Sequence, residues 1–242
     1  MKSSKAAIVT GASRGIGRAI TEKLLKSGYN VLGVYENRSD KAKELESKFP
    51  NVKMIQADIG ESKNAKFIVD KAIKEFGSID VLINNAGIFL GGFINDFPLK
   101  KWKRIIDVNL TSKYLLSKYS IPYLKKSTNG VIVNISSRFG LDKYNQPYCI
   151  AYGVTNAGIN NFTAGLAREL EGKVRVNAVI PTVTNTDRFK NSFSKDEQEE
   201  IRKADKLGTP EEVADLVIKL VRDKGKNGEI VIDKRVFIES EA

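Results

Sequence analysis

The chain has 242 residues, of which 41% are hydrophobic, and no linker or low-complexity break divides it, so we predict a single domain over residues 1–242 with one sizeable core. Because the N-terminus lacks an apolar signal core, no apolar run approaches about 18 residues and Cys149 is the lone cysteine, we expect a cytoplasmic protein with no internal disulfide and no membrane partner. The net charge of +11 could attract an anionic partner, but the lysines are scattered over predicted solvent faces, so we expect no nucleic-acid partner.

The first predicted strand runs into a glycine-rich loop. Ile8, Val9 and Thr10 are followed by three glycines in a Gly-x-x-x-Gly-x-Gly spacing. Glycine permits positive φ and close approach of a pyrophosphate, and the N–H groups of a following helix carry partial positive charge. An ordinary strand-to-helix turn remains the alternative at this point. The predicted dinucleotide phosphate site comprises Gly11, Ser13, Arg14, Gly15, Ile16 and Gly17.

Strands and helices then alternate along the chain. The first helix ends near Ser27 and Gly28, and the strands that follow are nearly continuous in apolar, β-branched residues. Such strands are typical of a parallel sheet covered on both faces. We therefore predict an α/β fold, a doubly wound (Rossmann-type) parallel sheet of about seven strands with helices on both faces. The predicted strands are 30–35, 52–57, 80–84, 130–135, 174–180 and 229–233, and the predicted helices are 39–49, 61–76, 99–124, 151–171 and 210–223.

Further segments occur in a fixed order after the fourth strand. They are Asn84-Asn85-Ala86-Gly87, Asp107-Val108-Asn109-Leu110, Asn134-Ile135-Ser136-Ser137, Tyr152 and Asn177-Ala178-Val179-Ile180-Pro181. Together with the glycine loop they resemble the short-chain dehydrogenase/reductase family, from about Lys5 to Asp233. The resemblance implies an NAD(P)-dependent oxidoreductase that transfers hydride between nicotinamide and a carbonyl or secondary alcohol, with no metal.

The resemblance also implies the catalytic residues. Tyr152 would be the general acid/base, Ser137 would hydrogen-bond the substrate oxygen, and Asn109 would hold a water on the proton path. Ser137 is preferred to Ser136 because Gly140 completes the Ser-x-x-Gly turn of the family. Structural alternatives remain: the asparagine satisfying a backbone kink, and the serine capping a strand end.

One departure from the family pattern lies one helical turn after Tyr152. Asn156 stands where the family has a lysine. An amide can imitate that lysine's hydrogen bond to the ribose but not its charge. Lowering the pKa of a phenol from about 10 to about 7 takes roughly 4 kcal/mol of differential stabilisation, which the missing charge would have helped to supply. Carbonyl reduction, in which Tyr152 starts protonated, is therefore favoured over alcohol oxidation. Arg138 or Lys143 could supply a positive charge in place of the missing lysine. A dinucleotide-binding protein with little or no turnover, a redox sensor or an assembly partner, is the alternative.

Cofactor preference rests on opposing features. Arg14 resembles the basic residue that meets a 2′-phosphate, whereas Glu36 after the second strand could accept the ribose hydroxyls of NAD(H). Arg38 could offset that carboxylate, and Tyr35 stands where NAD users usually carry Asp. We therefore slightly favour NADP(H) over NAD(H). The other expected cofactor contacts are Asp58 and Ile59 at the adenine, Asn85, Ala86, Gly87, Tyr152 and Asn156 along the cofactor, and Pro181, Thr182 and Thr186 near the carboxamide.

The substrate is expected to be set by residues 183–207, with help from the segments near Leu90 to Phe93 and Arg138 to Tyr148. Residues 183–207 carry Arg188, Phe189, Lys190, Phe193 and Lys195 before a Glu-rich end. A mobile amphipathic lid and a solvated surface helix are both compatible with that pattern. A sugar, a short hydroxy acid, a steroid-like alcohol and a carrier-bound 3-oxoacyl group all remain open, with a weak preference for the last.

The expected assembly is a homodimer or homotetramer through paired long helices, again by resemblance. The family often ends its last strand with Asp-Gly-Gly, whereas here Asp233 is followed by Lys234 and Arg235. Two charges in place of two glycines make the tetramer contact the less secure of the two expectations.

Overall fold

The computed structural model describes residues 5–192, 194–203 and 207–237. Within these ranges strands and helices alternate as predicted. The strands are β1 (Ala6–Thr10), β2 (Asn30–Tyr35), β3 (Val52–Gln56), β4 (Val81–Asn84), β5 (Val131–Ile135), β6 (Arg175–Ile180), β7 (Val183–Thr184), β8 (Leu207–Gly208) and β9 (Ile230–Ile232). The helices are α1 (Gly15–Lys26), α2 (Ser39–Lys48), α3 (Ser62–Phe76), α4 (Leu99–Ile106), α5 (Ser112–Leu124), α6 (Ile150–Glu169), α7 (Asp187–Ser192), α8 (Lys195–Lys203) and α9 (Pro210–Arg222).

Seven of these strands form one parallel sheet in the order β3-β2-β1-β4-β5-β6-β9. The strand order reverses between β1 and β4, and ligands of such sheets bind beyond the carboxyl ends of the strands at this switch point. The predicted doubly wound fold is confirmed. The short strands β7 and β8, which were not predicted, pair with each other beside the main sheet.

The core consists of two layers, one on each face of the sheet. Alternate residues of β1 contribute to opposite layers: Val9 packs with α1 and α9, and Ile8 packs with α3 and α5. Because side chains alternate along a strand, a strand buried on both faces needs apolar residues at every position. β1, β4 and β5 are buried along their whole length, and they are apolar except at Thr10, Asn84 and Asn134.

The predicted helix 99–124 is continuous but contains one wide turn. α4 and α5 are joined by five residues, 107–111, that form a π-helical turn around Asn109. Wide turns of this kind often mark functional sites.

The structure also bears on three other expectations. Among the described residues no helix is long and apolar enough to cross a membrane. The predicted domain 1–242 extends beyond the described residues at both ends. Phe193 and residues 204–206 of the predicted substrate segment 183–207 likewise lie outside them.

Candidate active site

A cavity of about 650 Å³ opens at the carboxyl ends of the central strands, where the order of the sheet reverses. It brings most of the predicted site residues together. Those that line it are Gly11, Ser13, Arg14, Gly15, Ile16, Gly17, Tyr35, Glu36, Ile59, Asn85, Ala86, Gly87, Asn109, Ser137, Tyr152, Asn156, Pro181, Thr182 and Thr186. Arg38 and Asp58 are not among the lining residues.

The glycine loop forms one end of this cavity. Gly11 and Gly15 have φ of +67° and +52°, a region that other residues enter at a cost. A Cβ on Gly17 would collide with the carbonyl oxygen of Gly11. Among the described side chains none caps the N-terminus of α1, so its first N–H groups face the cavity loop, as an anion-binding helix terminus requires.

Thr10 and Asn85 hold the glycine loop against the end of β4. The Thr10 hydroxyl accepts hydrogen bonds from the backbone N–H groups of Asn85 and Ala86, each at 3.0 Å. The amide nitrogen of Asn85 donates to the Thr10 carbonyl at 2.8 Å. These bonds set the width of the cleft between the ends of β1 and β4.

Asp58 faces an arginine that the sequence analysis did not single out. Its carboxylate accepts from Arg104 at 2.8 and 3.0 Å and from the Gly60 N–H at 2.8 Å, while Ile59 lies in the cavity wall. Arg104 also reaches a carboxylate oxygen of Glu36 at 3.2 Å. Arg104 therefore partly neutralises the carboxylate that was expected to favour NAD(H).

Two further arginines share one carboxylate at the same end of the cavity. Asp187, at the start of α7, lies 3.5 Å from the Arg14 guanidinium and 3.8 Å from that of Arg38. Arg38 also forms a two-pronged ion pair with Asp40, which lowers the pKa of Asp40 to about 2. Arg38 is thus held beside the cavity without lining it.

Tyr152 occupies the opposite end of the cavity, between two aromatic rings. Phe89 and Phe139 each pack against it at a steep angle between the ring planes, with ring centroids at 5.3 and 6.0 Å. The Ser137 hydroxyl accepts a long hydrogen bond of 3.4 Å from the Phe139 N–H and so also caps a short helical turn. Ser136 is buried, and its hydroxyl donates to the Asn156 carbonyl at 3.3 Å.

Asn109 is buried, and its side chain is engaged by backbone and helix neighbours. Its oxygen accepts from the Ile88 N–H at 2.8 Å, and its nitrogen donates to the Ile88 carbonyl at 2.9 Å and to Thr155 at 3.3 Å. The structural alternative, an asparagine that satisfies a kinked backbone, therefore accounts for these contacts. The predicted water site remains a prediction.

Asn156 is buried, and its amide nitrogen donates to the Tyr152 carbonyl at 2.8 Å. Of the two substitute cations, Arg138 lines the cavity and lies over the rings of Phe139 and Tyr144. Lys143 lies over the Tyr144 ring, 4.8 Å from its centroid, and is not a lining residue.

The described part of the 183–207 segment combines a buried and an exposed portion. Phe189 on α7 is 3% exposed and lines the cavity. α8 presents mainly exposed charged residues. The burial of Phe189 in the cavity wall fits the amphipathic lid, whereas the exposed charges of α8 fit the solvated surface helix.

Comparison with known proteins decides the family. A family model described as short chain dehydrogenase matches residues 5–197. The chain is also 33% identical over 234 residues to the 3-oxoacyl-[acyl-carrier-protein] reductase FabG of Staphylococcus aureus, covering 93% of this chain and 94% of that protein. The chain belongs to the short-chain dehydrogenase family.

Solved structures of the family share the whole fold. A short chain dehydrogenase from Burkholderia cenocepacia in complex with NADP has a TM-score of 0.87 at 29% identity, covering 94% of this chain and 95% of that one. The ligand-free aldohexose dehydrogenase of Thermoplasma acidophilum has a TM-score of 0.83 at 31% identity, covering 95% and 92%. The chain is accordingly an NAD(P)-dependent oxidoreductase of the short-chain dehydrogenase family.

Several cavity residues escaped the sequence analysis of this short-chain dehydrogenase. Phe89 and Cys149 line the cavity, and burial raises the pKa of the Cys149 thiol. Lys113 on α5 also lines the cavity. Its position four residues after Asn109 gave no signal by itself, because a charged residue on a helix more often lies on a solvated face.

Proposed function

We propose that this chain is an NADP(H)-dependent carbonyl reductase, with Tyr152 as the proton donor and Ser137 as the group that holds the carbonyl oxygen. One observation carries the proposal: both side chains line the cavity that the glycine loop and the start of α1 also line. A hydroxyl pair and a phosphate-binding helix terminus in one cleft are what hydride transfer to a carbonyl requires of a protein.

The residues present fit a dinucleotide. Positive φ at Gly11 and Gly15, and the lack of room for a Cβ on Gly17, leave a cradle of backbone N–H groups at the start of α1. We assign the pyrophosphate to this cradle and the nicotinamide end to the region of Asn85, Ala86, Gly87, Pro181, Thr182 and Thr186. The bound cofactor would supply the hydride.

The charges beside the glycine loop support NADP(H). Arg14 and Arg38 share Asp187, and Arg104 pairs with Glu36. A carboxylate already paired with a guanidinium repels a 2′-phosphate less than a bare one does. The NADP complex of the similar Burkholderia cenocepacia protein points the same way.

Tyr152 acts as the acid in the reductive direction. Its phenol donates a proton to the carbonyl oxygen as the carbonyl carbon becomes tetrahedral, while the Ser137 hydroxyl holds the same oxygen. The rings of Phe89 and Phe139 pack against the phenol ring, which limits the access of water to it. Asn156 helps to hold the helical turn that carries Tyr152 through its bond to the Tyr152 carbonyl.

We propose a 3-oxoacyl thioester as the substrate class. Tyr148 lines the cavity and packs edge to face with Phe93, with ring centroids at 5.7 Å, and the two aromatic side chains remain 50% and 60% exposed. Such an aromatic surface suits an acyl chain better than a sugar. The names of the Staphylococcus aureus reductase and of the granaticin polyketide synthase putative ketoacyl reductase 2 of Streptomyces violaceoruber, 32% identical, support the same class.

The experiment is a fluorescence titration of the purified protein with NADPH and NADH side by side, followed by reduction of acetoacetyl-coenzyme A and a panel of sugars and ketones. We expect micromolar binding of NADPH, weaker binding of NADH, and fastest reduction of the thioester. Tyr152→Phe is the matched control, with binding kept and turnover lost. Failure of both cofactors to bind would sink the enzyme assignment. Tight binding without turnover of any carbonyl would favour the non-catalytic alternative.

We also propose that the chain works in the cytoplasm as a homodimer or homotetramer. The exposed aromatic and apolar residues Tyr114 on α5 and Val154 on α6, 47% and 41% exposed, support an interface through these helices. Arg235 pairs within the chain, with Asp233 at 3.0 Å and Glu212 at 3.1 Å. One of the two charges that replace the family's glycines is thus directed toward its own chain.

A further inference from the structure

Lys113 is a buried lysine in the wall of the active-site cavity. It is 2% exposed, and lysine is almost never buried to this degree without hydrogen-bonded partners. Its ammonium nitrogen donates to the backbone carbonyls of Asn84 at 2.8 Å and Ala86 at 3.1 Å. Carbonyl oxygens stabilise the protonated form of an amine. The cavity wall therefore contains a built site for a positive charge.

Hydrogen bonds connect the π-helical turn just before Lys113 to the helical turn that carries Tyr152. Asn109, four residues before Lys113 in that π-helical turn, donates to Thr155 at 3.3 Å. Thr155 in turn donates to the Tyr152 carbonyl at 2.8 Å. The residues that lead into α5 are thus bonded to the helical turn between Tyr152 and Asn156, and Lys113 and Tyr152 line one cavity.

Hydrogen bonds tie Lys113 and Asn156 to the carboxyl ends of two neighbouring strands. Lys113 binds the carbonyl of Asn84 at the end of β4, and Asn84 is the register partner of Asn134 on β5. Ser136, two residues after Asn134, donates to the Asn156 carbonyl. Adjacent strands are about 4.8 Å apart, so Lys113 and Asn156, which both line the cavity, are held at adjacent strand ends.

The other charged residues that line the cavity lie mostly at its cofactor-phosphate end. In the described part of the chain the lining carboxylates are Glu36 and Asp187, and Arg14 lies beside the latter. At the reaction end, the remaining titratable lining residues are Arg138, Tyr148, Cys149 and Tyr152. The Arg138 guanidinium is stacked on the rings of Phe139 and Tyr144.

We propose that Lys113 supplies the positive charge that the family places four residues after the tyrosine and that Asn156 cannot supply. In reduction, the carbonyl carbon gains the hydride, the carbonyl oxygen takes the Tyr152 proton, and Tyr152 is left as a phenolate that water later reprotonates. Lys113 stabilises that phenolate across the cavity. Lys113 acts through Tyr152 and not on the substrate itself, and this role rests on the proposed function.

The competing explanation is purely structural. In that case Lys113 only ties residues 84–86 to α5 through its two hydrogen bonds. Lys113→Gln separates the two explanations, because an amide keeps an N–H donor and loses the charge. Lys113→Met, of similar length and apolar, is the second variant should the glutamine fail to fold. Lys118→Met removes an exposed lysine from the same helix and serves as the control.

The decisive measurement is the ionisation of Tyr152, followed by ultraviolet absorbance of tyrosinate as the pH is raised. Each protein is titrated against the same protein carrying Tyr152→Phe, so that the difference isolates one phenol. We expect Lys113→Gln to raise the midpoint by about one pH unit, the low end of the effect of a nearby charge. Lys118→Met should leave it unchanged. Adding Asn156→Lys to Lys113→Gln should restore it.

An unchanged midpoint in a folded Lys113→Gln or Lys113→Met protein would overturn the proposal. The titration needs neither substrate nor turnover, so it is independent of the test of the proposed function. A wild-type protein that reduces no carbonyl would overturn the function while leaving this titration readable. Conversely, if the wild-type protein is active and the Tyr152 midpoint of the Lys113 variants is unchanged, only the role of Lys113 is overturned.

Discussion

At the scale of single residues, Arg104 decides how the carboxylate of Glu36 acts. Arg104 lies between Glu36 and Asp58, at 3.2 and 2.8 Å, and is itself partly buried. A carboxylate that is ion-paired on one side retains less negative potential on the other. We therefore expect Glu36 to tolerate a 2′-phosphate only while Arg104 is paired with it.

We predict that Arg104→Gln weakens NADPH binding about fivefold, close to 1 kcal/mol, because the freed carboxylate then repels the 2′-phosphate. NADH binding should change little. Parallel fluorescence titrations with the two cofactors give the ratio. Glu36→Gln added to Arg104→Gln should recover NADPH binding, since the repelling group is gone. If NADPH and NADH binding were weakened equally, Arg104 would instead act by maintaining the shape of the cleft.

Motif residues could be predicted because their chemistry requires a particular residue type. Gly15 needs positive φ and Tyr152 needs a hydroxyl on a helix facing the strand ends, and both lie in the cavity. The direction of Asp58 toward Arg104 and the burial of Lys113 could not be predicted. Each depends on contacts between segments far apart in the chain, and charge at a helix position by itself more often indicates a solvated face.

At the scale of the elements, the turn from β1 into α1 tolerates no side chain at Gly17. A Cβ there would collide with the Gly11 carbonyl and crowd the Asn85 amide that holds the loop to β4. The loop would have to move, and it is the loop to which we assign the cofactor pyrophosphate. The cost is therefore expected in cofactor binding as well as in stability.

We predict that Gly17→Ala weakens NADPH binding at least tenfold and lowers the melting temperature. Gly165→Ala is the matched control, because Gly165 lies in α6 with open space around its Cβ position and no positive φ. That substitution should raise the melting temperature by about 3 °C through helix propensity. Thermal unfolding and NADPH titration measure both effects. Unaltered binding in Gly17→Ala would mean that the loop is not the phosphate site.

The elements themselves followed from periodicity, and their irregular parts did not. Apolar runs and helical spacing were enough for the seven sheet strands and their helices. The π-helical turn at 107–111 depends on Asn109 binding the backbone of Ile88, across 21 residues of chain. The two-residue strands β7 and β8 pair across the substrate segment and carry no periodic signal of their own.

At the scale of the whole molecule, the doubly wound sheet explains why the glycine loop and the Ser137–Tyr152 hydroxyl pair open into one cleft. The crossovers place the ends of β1 and β4 beside each other, so the glycine loop and the residues after β4 face one opening. β5 and β6 then add, to the wall of the same cavity, Ser137 and the segment that begins at Pro181. α5 and α6 close this half of the sheet and leave Tyr114 and Val154 facing outward.

We predict that those outward residues form the subunit contact. Light scattering after gel filtration at tens of micromolar protein should give a mass of about two or four times the 26.8 kDa of one chain. Val154→Glu combined with Tyr114→Glu should shift it to the monomer mass, because a charge buried in an apolar interface is unfavourable without a partner. Lys26→Glu, an exposed charge reversal on α1, is the control and should keep the assembly. A monomeric wild-type protein would show that there is no such assembly. An assembly that persists in the double glutamate variant would show that the subunits meet through another surface.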